Sequence, residues 1–324
     1  MIEITPLQPG HLPQAALIFL RNLQQLRQSV PALPDTMEDP ELVRQYLVKL
    51  LEKSGGLAAL EHDRLVGYLA WMLVSGFRGT KRKAAYVPEW AHGTAGGNPA
   101  RVYRALYRAA AEAWSTAGCQ VHAISLLAHD HTATNTWFWN GFGLQVVDAV
   151  RPMMPLGQAV PAMLEIRKAS AADAELVNRL DQEHWQHYPQ SPIFMVPQVP
   201  STPEAFRLWL AQPKNSLWLA FAGGAPAGFV RFDGYDFDGV AVIDAPTGIF
   251  ISGAYVRPAY RSLGAASALL DAALRDYQQQ GFEFCSVNFE TFNPEAAAFW
   301  PRYFEPACLS LTRFPENLPT PSRL

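Results

Sequence analysis

The sequence has no run approaching the roughly 18 apolar residues of a membrane-spanning helix. Its opening residues, MIEITPLQPG, show neither the basic start nor the apolar stretch of a secretory leader. No membrane association is expected, and a cytoplasmic location is. Cysteine is scarce: Cys119, Cys285 and Cys308 are odd in number and far apart, which fits neither a disulfide framework nor a zinc site. An excess of positive charge is also missing. The formal net charge is −3, and the one compact basic run, Arg78 to Lys83, reads as a solvated hairpin tip, so a nucleic-acid partner is not expected.

What remains is an ordinary globular composition, 49% hydrophobic and 17% charged over 324 residues, more chain than one core usually serves. An internal repeat explains the length. Ile2-Glu3-Ile4 matches Leu164-Glu165-Ile166, and the hairpin from Ala59 to Tyr68 matches that from Ala220 to Phe229. Ala85-Tyr86-Val87 then matches Ala254-Tyr255-Val256, Gly118 matches Gly281, and Asp130 matches Asn293, all in one order at nearly constant separation. Arg151 to Met163 carries three prolines and a glycine without periodicity, as a linker does. We expect domains at residues 1–155 and 164–324 joined by residues 156–163, each a mixed α/β (α+β) layer around a sheet.

In the second half, Gly248 to Val256 reads as a buried strand. Leu263, Leu270, Leu274 and Tyr277 share one face of the helix that follows, and Gly281 ends it. Between strand and helix lie Arg261, Ser262, Leu263, Gly264, Ala265 and Ala266, small residues beside an arginine where helix N–H groups are unpaired, as an anion site requires. Neither G-x-G-x-x-G nor a P-loop pattern occurs. Arg261-x-x-Gly264-x-Ala266 resembles the R/Q-x-x-G-x-G/A signature of the GNAT superfamily of acyl-coenzyme A N-acyltransferases. Glu290-x-x-Asn293-Pro294-x-Ala296-x-x-Phe299-Trp300 resembles its later strand-end and helix motif. The resemblance implies two tandem GNAT-like domains and acetyl-CoA held by the Arg261–Ala266 loop. It also implies a sheet that splays to admit the acyl chain, and coenzyme contacts at Tyr255, Val256, Asn293 and Phe299.

The first half resembles the later motif at Asp130, Ala133, Trp137, Gly141 and Phe142, but its loop, Glu89 to Gly97, lacks the arginine and the spacing, and Glu89 would repel a diphosphate. That half is read as degenerate, with Arg101, Arg104 and Arg108 on a solvated face. His122, His129 and His131 with Asp130 are read as structural or substrate-lining residues rather than a metal site.

Acyl transfer to an amine needs a neutral amine, a polarised carbonyl and a proton for the thiolate. The resemblance implies a Glu on the central strand and a Tyr on the last helix; Gly248 to Val256 has no carboxylate, and Trp300 stands at the Tyr position. Tyr303 is a substitute donor, and Glu290 and His184 are alternative bases. His184 to Tyr188 opens a proline-rich loop where an acceptor would bind, and Asp233, Asp236, Asp238 and Asp244 would attract a cation or simply be solvated. The expected activity is acetyl transfer from acetyl-CoA to a primary amine of a small acceptor; the alternative is an acyl-CoA-binding or partner-binding protein without catalysis.

Overall fold

Helix formation in both halves follows local rules. In the first half, Pro40 opens its helix behind Asp39, whose carboxylate accepts from Glu41 N, and Pro99 opens another behind Asn98, whose side chain accepts from Arg101 N. Apolar residues then recur every three or four positions: Val102, Tyr103, Leu106, Tyr107, Ala110 and Trp114 form the buried stripe of the second of these. A computed structural model describes residues 1–234 and 239–317.

The first half runs β1 (Glu3–Pro6), α1 (Leu12–Ser29), α2 (Pro40–Lys53), β2 (Gly55–Glu61), β3 (Arg64–Val74), β4 (Ala84–Val87), β5 (His92–Thr94), α3 (Pro99–Thr116), β6 (Val121–Leu127), α4 (His131–Trp139) and β7 (Gly143–Pro152). The second runs β8 (Leu164–Lys168), α5 (Ala174–His187), α6 (Pro203–Leu210), β9 (Ser216–Ala222), β10 (Ala225–Asp233), β11 (Gly248–Val256), α7 (Ala265–Gln279), β12 (Phe284–Glu290), α8 (Pro294–Phe299) and β13 (Glu305–Arg313). The repeat is visible in the order of elements, with β5 as an addition to the first half and α6 aligned to α2. Two helix assignments differ from the sequence reading. Leu263 precedes α7 and is exposed, because Gly264, at φ +84°, sets the helix start. His184 and His187 belong to the last turn of α5 and not to the loop behind it.

All strands join one mixed sheet in the order β1-β2-β3-β4-β6-β13-β7-β12-β11-β10-β9-β8, with β5 on β3. The last strands are exchanged. β13, from the second half, lies antiparallel between β6 and β7, and β7, from the first half, lies antiparallel between β13 and β12. Along the chain the segment between Pro152 and Leu164 joins β7 to β8; across the sheet each half is finished by the other's last strand.

Packing follows the exchange. Ala307, Cys308 and Leu311 of β13 enter the core of the first half, while Val147 and Ala149 of β7 and Met153 beyond it enter that of the second. The segment behind β10 crosses over as well: Val240, Val242 and Ile243 are buried in the first half's core, and Thr36 Oγ1 donates to Asp244 O at 3.0 Å. Glu89, only 2% exposed, accepts from Val242 N at 3.2 Å. This carboxylate ties the halves together. Asp244 therefore sits on a docked segment and Asp233 accepts from Trp209 Nε1 at 2.7 Å; Asp236 and Asp238 lie outside the described residues.

Burial raises the Glu89 carboxyl to about 7, against backbone hydrogen bonds that pull it down. A raised folded-state value means that its contribution is present below the ordinary carboxylate range and is lost as pH climbs through about 7. Glu89→Gln keeps an acceptor without the charge. It should gain stability relative to wild type between pH 4.5 and pH 8, by on the order of 3 kcal/mol, in denaturant unfolding at the two pH values. An unchanged difference would contradict the buried link.

Candidate active site

The site begins where two parallel strands part. β11 and β12 are paired from Gly248↔Phe284 to Ile251↔Val287, and the close start needs glycine, since a Cβ on Gly248 would stand 2.2 Å from the Phe284 ring. Beyond Ile251 and Val287 both strands continue without pairing to each other. β11 is held by β10 as far as Val256↔Gly228, and β12 by the exchanged β7 as far as Glu290↔Val146. Each strand follows its own outer partner, so a wedge opens between them. At its root β11 bulges, with Ser252 unopposed between the Arg231↔Gly253 and Phe232↔Ile251 pairs. Arg231 fixes the bulge, donating to Ser252 Oγ and Ser252 O at 3.1 Å each and to the buried Asp181 at 3.3 Å.

A cavity of about 740 Å³ fills the wedge. One wall is the free end of β11, from Ser252 through Tyr255 and Val256; the other is Asn288 to Glu290 with Asn293, Phe299 and Trp300. Its mouth is the loop before α7. Arg261, Ser262, Gly264, Ala265 and Ala266 line it, whereas the exposed Leu263 does not. Ser262 and Gly264 take positive φ, 62° and 84°, and no side chain caps α7, so the N–H groups of Ala265, Ala266 and Ser267 precede the first helical bond, from Ala268 N to Gly264 O. Arg261 donates to Val256 O at 3.1 Å and reaches Glu295 at 2.6 Å. That pair is partly exposed and worth at most about 1 kcal/mol, so an incoming diphosphate can replace it. Arg257 anchors the loop on Glu183, at 2.8 and 2.7 Å. The linker contributes too: Gln158 lines the cavity, and Pro161 packs on Gly264.

All three candidate acid–base residues face this cavity. His184, 5% exposed, is ringed by Trp185, Tyr188, Phe229 and Tyr255, and its Nδ1 has no hydrogen-bond partner. Burial, helped by Arg231, pushes its pKa down to about 3, so the ring is neutral. Glu290 is paired at 3.0 Å with Arg78 of the first half. The basic run that reads as a solvated tip thus sends its first arginine to the wedge carboxylate from the far side, outside the wedge itself. Tyr303 packs against Phe299, with ring centroids 5.1 Å apart and the planes tilted by 54°. Asn293 has a second task, capping α8 by accepting from Ala296 N at 3.4 Å, as Asp130 caps α4 from Ala133 N at 2.8 Å.

The matching place in the first half is closed. β4 ends while still paired, at Val87↔Ile124, and the chain doubles back so that β5 pairs with β3. His92, on β5, fills the gap, with Nε2 2.9 Å from Ser125 O and Nδ1 3.0 Å from the Tyr103 hydroxyl. Burial lowers its pKa to about 4. Asn98 caps α3, leaving no free donor cluster there, and Glu89 points into the other half rather than at a ligand. Arg101, Arg104 and Arg108 are exposed, and His122 is buried against the Tyr107 hydroxyl at 3.0 Å. Among the described residues no His, Cys, Asp or Glu group could hold a metal ion. His92→Ala should cost about 2–4 kcal/mol by removing two buried hydrogen bonds and leaving a void, measured by equilibrium unfolding; a loss below about 1 kcal/mol would mean that the ring does not seal the gap.

Comparison with known proteins agrees with this geometry. Residues 177–304 match the model of the acetyltransferase (GNAT) family, ending just before the exchanged β13. Among curated proteins, none matches this sequence. A GCN5-related N-acetyltransferase from Sphaerobacter thermophilus superposes with a TM-score of 0.55 at 13% identity, over 96% of this chain and 95% of its own. The glucosamine N-acetyltransferase region of a fungal multi-domain GH3 β-N-acetylglucosaminidase gives 0.53 at 11% identity, over 96% of this chain and 38% of that one. A tandem GNAT protein from the clavulanic acid biosynthesis pathway gives 0.46 at 15%, over 98% and 100%. This chain repeats a GNAT-like fold, and residues 177–304 form a domain that matches the acetyltransferase (GNAT) family.

Proposed function

We propose that the C-terminal half transfers an acetyl group from acetyl-CoA to the primary amine of a small acceptor, with one coenzyme bound per chain. The observation that carries this is the wedge between β11 and β12, opening onto an uncapped α7 beside Arg261. The residues fit a diphosphate: αL glycine at the turn, free N–H groups behind it, and a displaceable arginine. Ser262 to Ala266 would hold the pyrophosphate, with Tyr255, Val256, Asn293 and Phe299 along the rest of the coenzyme. The thioester supplies an activated acyl carbon.

The chain's own groups would do the remainder. The N–H groups of the free edge of β11 would polarise the carbonyl and Glu290 would take one proton of the acceptor ammonium; as the C–N bond forms and the C–S bond breaks, Tyr303 would give its proton to the departing thiolate and recover the remaining one from the amide nitrogen. His184, with its pKa down to about 3, holds a proton too weakly to be the base and serves instead as a neutral hydrogen-bonding wall. A second reading, coenzyme binding without turnover, draws on the strand Gly248–Val256, which carries no carboxylate, and on Trp300 where the family has tyrosine.

Calorimetric titration with acetyl-CoA should give one site per chain, and Arg261→Ala with Gly264→Glu should weaken it by about a hundredfold or more. No binding to wild type would sink the proposal. Thiol release on a panel of amines separates the two readings. Glu290→Gln should lower kcat/KM by about a hundredfold and Tyr303→Phe by about tenfold in kcat, whereas tight coenzyme binding with no thiol released on any amine would favour the non-catalytic reading.

A further inference from the structure

A second cavity, of about 320 Å³, lies where the halves meet, and Met195 is common to its wall and that of the first. The ion pair of Arg78 with Glu290 stands at the same partition, Glu290 on the wedge side and Arg78 on the other. The two spaces differ in charge. Among the described residues the only charged ones around the second are Arg78 and Arg82, both from the first half, amid Phe77, Ile193, Phe194 and Phe314. Arg78 is committed to Glu290. Arg82 lies over the Phe314 ring, 5.1 Å from its centroid, and makes no ion pair among the described residues, so its donors are free. Thr312, on the exchanged β13, is 6% exposed, and its hydroxyl has no hydrogen-bond partner, although it forms part of this wall. A buried hydroxyl left without a partner marks a place for a polar ligand group.

We propose that the acceptor is an amine joined through an apolar body to a carboxylate, its ammonium at Glu290 in the wedge and its carboxylate at Arg82 and Thr312 in the second cavity. This rests on the transfer reaction proposed above and names its substrate class. The volume equals that of about ten water molecules at roughly 30 Å³ each, enough for a short chain ending in a carboxylate, and the aromatic lining suits a hydrocarbon body. Arginine over an aromatic face keeps its N–H edge for a carboxylate. The inactive half thereby reads the substrate that the active half modifies.

The test compares kcat/KM, by thiol release, for 6-aminohexanoate, its carboxamide, hexylamine and the corresponding aminoalkyl phosphonate. The acid should exceed the amide and hexylamine by about tenfold or more. Arg82→Ala should bring the acid-to-amide ratio close to one, Arg82→Lys should restore part of it, and Thr312→Val should reduce it. Equal values for acid and amide overturn the substrate class and leave the transfer reaction standing; preference for the phosphonate overturns the carboxylate. Should no amine release thiol, titration of 6-aminohexanoate into protein loaded with coenzyme A decides: binding lost in Arg82→Ala sustains the second site, and absence of binding overturns it.

Discussion

Antiparallel pairing of β13 with β7, from Glu305↔Val150 to Thr312↔Gly143, places at the centre of the sheet two strands that each half has given away. Much else depends on it. β12 leaves β11 because β7 holds it along its whole length, to Glu290↔Val146, while β11 is held by β10. The wedge is thus a competition between two hydrogen-bond ladders settled in favour of the outer partners, and one of these is a strand from the other half. The same exchange carries Thr312 to the second cavity and puts Arg78 within reach of Glu290.

The two halves show how one repeat yields an open and a closed version of a site. Both have the parallel pair, the helix after it and the capped helix beyond: Asp130 and Asn293 do the same work. The differences are few. β4 stops where its pairing stops, Asn98 satisfies the helix start, and His92 bonds across the gap to Ser125 O and Tyr103. In the second half the strand runs on past its partner, the helix starts at a left-handed glycine without a cap, and the buried histidine, His184, stands at the wall with Nδ1 unsatisfied. Polar groups closed upon one another in the first half face the cavity in the second.

The loop from Arg261 to Ala266 was legible because all its parts lie within one strand-to-helix turn, where spacing alone fixes which groups meet. The repeat was legible because matched residues recur in one order at nearly constant separation, whereas the capping of α8 by Asn293 emerges only from the structure. The exchange of β7 and β13 was not legible, since alternation along a strand says which face is buried and not which edge it joins. The Arg78–Glu290 pair joins residues 212 positions apart and depends on that exchange. Leu263 has the right spacing for the α7 stripe; the left-handed Gly264 breaks the helix phase before it. In the sequence Glu89 reads as a charge that would repel a diphosphate, because nothing local reveals that Val242 N needs an acceptor there.

The linker threads closely over the second half: Met153 N donates to Glu283 O, Gly157 N to Asp271 Oδ1, and Pro161 lies against Gly264. With the order of strands, this route sets a timetable for the growing chain. β7 is already made when β12 leaves the ribosome, so the second half can acquire its outer strand at once. The first half, although synthesised earlier, keeps the edge of β6 without its native partner until Glu305–Arg313 arrives. The part made first is therefore the part finished last, and the pair of cavities exists only when translation of the whole repeat is nearly over.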